Sequence, residues 1–161
     1  MRDEEFEQLY EEHAQALLGF LVYRTGDRAV AEDVFADTFE RVLRSRWRFD
    51  RRRGTEKAWI YSIALNCLRD LARRQAAEDR ALQRARTTVP GDAEHPYDSI
   101  DERDALLTAL DVLSVEEREA VALRYGADMT LNEVARVTNE RVTTTQGRVY
   151  RALRRLREEL K

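Results

Sequence analysis

Two arginine-rich tracts hold the residues of this chain that could do chemistry, and the chemistry is binding rather than bond-making. The first, Trp47–Lys57, reads WRFDRRRGTEK and sets Trp47 and Phe49 among Arg51, Arg52 and Arg53, with Gly54 breaking any helix. Aromatic and cationic side chains interleaved in a loop suit single-stranded nucleic acid, where bases stack on rings and phosphates pair with arginine. A core that takes the two rings and leaves the arginines in water has the same spacing. The second tract carries Thr144, Gln146, Gly147, Arg148, Tyr150, Arg151, Arg154 and Arg155 within twelve residues. Arginine and glutamine can pair two hydrogen bonds with a base edge, and further arginines can hold phosphates.

The spacing of apolar residues predicts what must position the second tract. From Thr130 the chain reads as two helices joined at Thr138-Asn139-Glu140, with Asn139 able to take a left-handed backbone. Thr130 with Glu133 is spaced as a capping box, and Thr143 with Gln146 repeats the pattern. Val142, Thr145, Val149, Leu153, Leu156 and Leu160 recur at three and four, predicting one buried stripe. At about 100° per residue, Thr144, Gly147, Arg148, Arg151, Arg154 and Arg155 fall away from it. A capped helix, a turn and a basic outward-facing helix predict a helix-turn-helix, whose second helix enters a DNA major groove. A plain helical hairpin with a solvated arginine face fits the same pattern.

Upstream, Phe6, Leu9, Tyr10, His13, Leu17, Phe20 and Leu21 predict an amphipathic helix over 3–24, ending near Gly26. His13 lies on its apolar stripe as a core or boundary residue. Residues 28–46 predict a second helix with Val30, Val34, Thr38 and Leu43 inward. Its other face carries Glu32, Asp33, Asp37, Glu40 and Arg41. Residues 58–74, AWIYSIALNCLRDLARR, are apolar around much of the helix, predicting a mostly buried one with Cys67 as a small packed hydrophobe. Asn66 needs a partner there, either a nearby backbone group or a ligand such as a base. Residues 76–103 contain Pro90-Gly91 and Pro96 and predict a flexible linker whose first half can continue as helix. Beyond it Leu106, Leu107, Leu110 and Leu113 share a face, and Ser114 with Glu117 caps a helix closed by Gly126. The expected fold is all-α, with small helical domains over 1–75 and 104–161, the second a helix-turn-helix.

Composition bounds the function. The net charge of −3 over 161 residues conceals alternation. Residues 1–40 carry net −8, 41–90 net +9, 91–120 net −8 and 121–161 net +4. Two basic segments, each preceded by an acidic one, predict two nucleic-acid footprints and a basic protein partner for the acidic stretches. The longest apolar runs, Leu17–Tyr23 and Trp59–Leu65, fall short of the roughly 20 residues a membrane span needs. The acidic start, MRDEEFEQLYEE, lacks a signal peptide's regions. One cysteine and two histidines give no internal disulfide and no metal-ligand spacing. No Ser-His-Asp set, paired-carboxylate motif or Gly-rich phosphate loop stands out. The expectation is a cytoplasmic protein that is not an enzyme and takes no metal or cofactor.

Several motifs, in order, carry a resemblance over nearly the whole chain. Ala31-Glu32-Asp33-Val34 with Asp37-Thr38-Phe39 comes first. Phe49-Asp50 through Arg53-Gly54 follows, then Ala58-Trp59-Ile60, Ile63-Ala64-x-Asn66, Asp70 and Arg73-Arg74. ALDVLSVEEREAVALRYGADMTLNEVARV completes the set. Together they resemble bacterial RNA polymerase sigma factors of the extracytoplasmic-function (ECF) type. The resemblance implies docking on core RNA polymerase through Glu32, Asp33, Asp37 and Arg41. It implies capture of melted minus-ten bases by Trp47, Phe49, Arg51, Arg52, Arg53, Trp59, Asn66, Arg73 and Arg74. Residues 143–155 would read the minus-thirty-five element as duplex, and an anti-sigma factor would hold the protein inactive. Against the family pattern, Ala36 replaces a polar residue, Glu56 an aromatic or apolar one and Leu65 an arginine. Thr143 replaces a glycine, Thr145 a valine, and Gly147 offers no side chain at the centre of the outward face.

Three functions meet these features: a sigma factor recruiting core polymerase to promoter DNA, a stand-alone helix-turn-helix regulator, and a sigma-like interaction protein that reads no DNA. Binding to single-stranded DNA separates the first from the second. Salt dependence through Arg148 and Arg151 separates the first from the third.

Overall fold

The computed structural model describes residues 1–85 and 109–161, and every element is helical: α1 (Asp3–Thr25), α2 (Arg28–Ser45), α3 (Glu56–Ala85), α4 (Val115–Val121), α5 (Leu131–Thr138) and α6 (Val142–Glu159). A 3-10 turn, Arg46–Arg48, follows α2, and a π-helical turn, Ala122–Gly126, follows α4. Leu106, Leu107 and residues 86–103 of the expected linker lie outside the described residues. The linker's first ten residues, 76–85, continue α3 as helix.

Local chemistry sets the boundaries. Gly26 ends α1 at φ 68°, its N–H donating to the Val22 carbonyl, a left-handed cap that only glycine adopts cheaply. Asp27 then starts α2, its Oδ1 accepting from the Ala29 and Val30 amides. Ser114 and Glu117 form the full reciprocal capping box of α4. Thr130 accepts the Glu133 amide at 3.2 Å, and Asn139 closes α5 at φ 56°. The cap expected at Thr143 does not form. α6 begins at Val142 after Arg141, with no side-chain cap, which places Thr143 inside the helix.

The first domain is a three-helix core. Leu9, Leu17, Phe20 and Leu21 of α1 meet Ala31, Val34, Phe39 and Val42 of α2 and Ala58, Ile60, Tyr61, Ala64, Leu65 and Leu68 of α3. Val42, not the expected Leu43, faces inward; Leu43 is 44% exposed because Val34, Thr38 and Val42 hold a tighter stripe at spacings of four. Cys67 is buried, and burial pushes its thiol pKa up. Tyr61 is buried as well, its phenol pushed up to about 12 by the same desolvation.

Leu123, Ala127, Met129, Val134 and Val137 of the second domain belong to this same buried cluster. A second cluster, Ala109, Leu110, Leu113, Ala152 and Leu156, receives Tyr23 from α1. Polar contacts join the domains too: Arg24 Nε donates to Glu119 Oε2 at 2.9 Å, and Lys57 Nζ to the Ala127 and Asp128 carbonyls at 2.9 and 3.1 Å. Arg136 Nη1 donates to the Arg53 carbonyl.

The stripe of α6 is Thr145, Val149, Ala152 and Leu156. Val142, Leu153 and Leu160, expected inward, are 40%, 38% and 55% exposed. Ala152 takes the place assigned to Leu153, because its small side chain lets α6 approach Ala109, Leu110 and Leu113 closely.

Candidate nucleic-acid and polymerase interfaces

The loop between α2 and α3 divides its two rings. Trp47 stands 72% exposed, with the Arg46 guanidinium 4.7 Å above its ring. Phe49 turns inward onto Trp59, ring centroids 5.0 Å apart. One ring is free to stack and the other braces the loop against α3. Asp50 shapes the turn: its Oδ1 accepts the Arg52 amide at 2.9 Å and its carbonyl the Arg53 amide at 3.0 Å. The side chains of Arg51, Arg52 and Arg53 are thereby thrown outward, all exposed. Glu56 pairs with Arg51 at 3.3 Å and offsets part of its charge. A groove of about 700 Å³ runs beneath, lined by Glu5, Gln8 and Glu12 of α1, the loop, and Arg136 of α5.

Along α3, Trp59, Asn66 and Arg73 recur every seven residues, so they lie on one face about 10 Å apart. Asn66 is exposed and accepts from Arg69 Nη1 at 3.3 Å, so it is not the buried polar group expected. Leu65 beside it is core. Arg74 is exposed one step round the helix.

Arg41 ties α2 to α3, donating to Asp70 Oδ2 at 2.8 Å and lying 3.1 Å from Asp37. The Arg41 hydrogen bond holds the Asp70 carboxyl below its ordinary pKa. Of the remaining acidic residues, Asp33 lines a groove of about 310 Å³ with Asp37, Arg41, Cys67 and Arg74, and Glu32 pairs with Arg28 at 3.1 Å.

On α6 the expected reading residues separate into two kinds. Thr144, Gln146, Tyr150, Arg151, Arg154 and Arg155 are exposed. Arg148 is half-buried and ion-paired with Glu140 of the turn. Arg155 reaches Glu117 at 3.0 Å, so it also pins α6 to α4. Arg154 meets Glu158 at 3.4 Å along the helix. Sequence spacing missed Glu117 and Glu140 as partners, because no helical repeat relates them to Arg155 and Arg148. It also missed Lys57 and Arg136, whose contacts cross between domains. Glu12, His13 and Glu56 bring ligating atoms within 4.8 Å of one another, a grouping likewise invisible in spacing. Among the described residues no helix is long and apolar enough to cross a membrane.

Comparison with known proteins matches this geometry. Residues 9–78 match Sigma-70 region 2, and residues 103–156 match Sigma-70, region 4. The RNA polymerase sigma factor CarQ of Myxococcus xanthus is 33% identical over 156 residues, 96% of this chain and 88% of that protein. The ECF RNA polymerase sigma factor SigX of Bacillus subtilis is 30% identical, covering 98% and 88%. Among solved structures, the sigma factor RpoE of Bartonella quintana, in complex with the anti-sigma factor NepR, superposes with a TM-score of 0.79 at 26% identity, over 98% and 97% of the two chains. CnrH in complex with the cytosolic domain of CnrY gives 0.70 at 26% identity, over 99% and 89%. With both regions present in order on one all-helical scaffold, the chain belongs to the ECF-type RNA polymerase sigma factors.

Proposed function

We propose that this sigma factor directs core RNA polymerase to promoters with two separate readers and helps open the DNA between them. The loop Trp47–Lys57 and the Trp59, Asn66 and Arg73 face of α3 take unpaired minus-ten bases. The outward face of α6 reads the minus-thirty-five element as duplex. The observation that carries this reading is the 72% exposure of Trp47, cradled by Arg46 and surrounded by outward arginines. A large ring left in water beside cations is suited to stacking on a base. Polymerase docking falls to the α2 face through Asp33, Asp37 and Arg41, with the Arg41–Asp70 bridge fixing that face on α3. The protein acts in the cytoplasm, performs no bond chemistry and takes no metal.

An anti-sigma partner is part of the proposal, supported by the solved relative RpoE, which was captured in complex with the anti-sigma factor NepR. Transcription with purified core polymerase on candidate promoters tests the whole reading. Initiation that depends on this chain supports it, and a chain that neither binds core nor supports initiation sinks it. A stand-alone regulator predicts duplex binding alone and no affinity for a single strand.

A further inference from the structure

We propose that the far end of α3 is a third DNA contact: Arg69, Arg73, Arg80 and Arg84 form a row that holds the phosphate backbone of the duplex just upstream of the melted minus-ten bases. It rests on the proposed reading and extends it past residue 78, where the match to Sigma-70 region 2 ends.

At about 100° per residue, the four arginines fall within about 60° of one another along roughly 22 Å of helix. Asn66 lies on the same line and Trp59 beside it, so the row continues the face given to unpaired bases. The chemistry changes along the way. Trp47, Phe49 and Trp59 sit at the loop end, and no aromatic residue follows Tyr61 in α3. Cations without rings suit phosphates rather than stacked bases. A length of roughly 22 Å corresponds to about six base pairs of duplex.

The packing leaves this face open. Residues 72–84 are exposed on every side, and none belongs to either buried cluster. A helical segment with no buried side is held by pairs among its own side chains or by a surface it binds. Such pairs are scarce in the row. Arg73 lies 3.6 Å from Asp70, whereas Arg69 and Arg80 reach only Asn66 and the Ala76 carbonyl of their own helix. Glu78 and Asp79 lie more than about 100° from the axis of the row. A solvated helix intersperses its charges at i and i+4. One that gathers its cations on a single open face complements a polyanion.

The test is binding of the full chain with core polymerase to a promoter it uses, presented in two forms. One is a fork, unpaired from the minus-ten element onward with duplex upstream; the other is the unpaired strand alone. Affinity is measured from about 50 to about 200 mM salt. Each phosphate contact adds about 0.9 to the log–log salt slope, roughly 3.5-fold in affinity over that range. Arg80→Ala combined with Arg84→Ala should cut the salt-driven loss on the fork by about tenfold, equally for two unrelated spacer sequences. Binding to the single strand and to core polymerase should not change. Alanine favours helix, so melting of α3 would not mimic the result. Glu78→Gln, off the row, should keep the wild-type slope. An unchanged slope in the double variant overturns the inference, as does an equal change on the single strand or a change of the same size in Glu78→Gln. Lost affinity for core polymerase also overturns it, because the face would then dock on protein. In each of these cases the wild-type complex still forms, and the sigma-factor reading stands. A wild-type chain that binds no core polymerase and initiates at no promoter overturns both.

Discussion

The loop Trp47–Lys57 and helix α6 are both arginine-rich, yet they use their arginines in opposite ways. In the loop the backbone is held by Asp50, Phe49 and the contact from Arg136, while Arg52 and Arg53 have no carboxylate partner among the described residues. In α6, Arg148 and Arg155 are held by carboxylates that fix the helix against its own domain, and Arg154 pairs with Glu158 along the helix itself. Unpaired cations around an exposed ring grip any strand by charge and stacking. Paired cations on a rigid helix hold a surface in place, leaving few groups to read with. Net charge of a segment is thus a poor guide to how many of its charges a nucleic acid can use.

The sharpest way to break this contrast is to break the body both readers share. Leu123 is fully buried in the cluster common to both domains. Leu123→Ala should cost about 2–5 kcal/mol and lower the thermal midpoint of loop-side and α6-side probes together. If only the second domain loosens, the two readers are independent bodies. Next in size, Trp47→Ala should weaken single-stranded binding by about 1–3 kcal/mol and leave duplex binding by α6 unchanged. Equal loss on both substrates would erase the distinction.

A smaller effect concerns α6 alone. Thr145 is 1% exposed, and its hydroxyl lacks a hydrogen-bond partner among the described residues. Thr145→Val should stabilise the protein by about 1 kcal/mol in denaturant unfolding, because it removes an unsatisfied buried oxygen. Destabilisation instead would mean the hydroxyl is satisfied in solution. The smallest effect lies beneath the loop. Burial holds the His13 imidazole below its usual pKa of 6.5, with Lys57 adding to the depression and Glu12 and Glu56 opposing it. The unfolded chain then binds the proton more readily, so stability should fall as pH drops through 6.5 toward the folded value. His13→Gln should flatten that part of the stability profile, and an unchanged slope would assign the loss to other groups.

Much of this was legible in local sequence. Gly26, Asn139 and the Ser114–Glu117 pair mark boundaries by chemistry confined to three or four residues, and the structure uses each of them. The stripe of α6 was misassigned because Leu153 outranks Ala152 on apolarity, whereas close packing against Leu110 and Leu113 selects the smaller side chain. Thr143 has a cap's spacing, but the helix starts one residue before it. The restraints on Arg148 and Arg155, and the contacts of Lys57, join positions 8 to 71 residues apart. Periodicity has no access to such pairs.

The burial of Leu123 and Met129 among first-domain residues bears on the thermodynamics of promoter binding. The longest element, the 30-residue α3, is about 45 Å long. Promoter elements about 25 base pairs apart lie roughly 85 Å from one another along duplex DNA. On the proposed reading, both surfaces can engage one promoter only after that shared apolar contact separates. Promoter affinity then carries the separation free energy as a debit. By linkage, any ligand that binds the packed form more tightly than the separated one lowers promoter affinity by the same factor, without touching either DNA-reading surface.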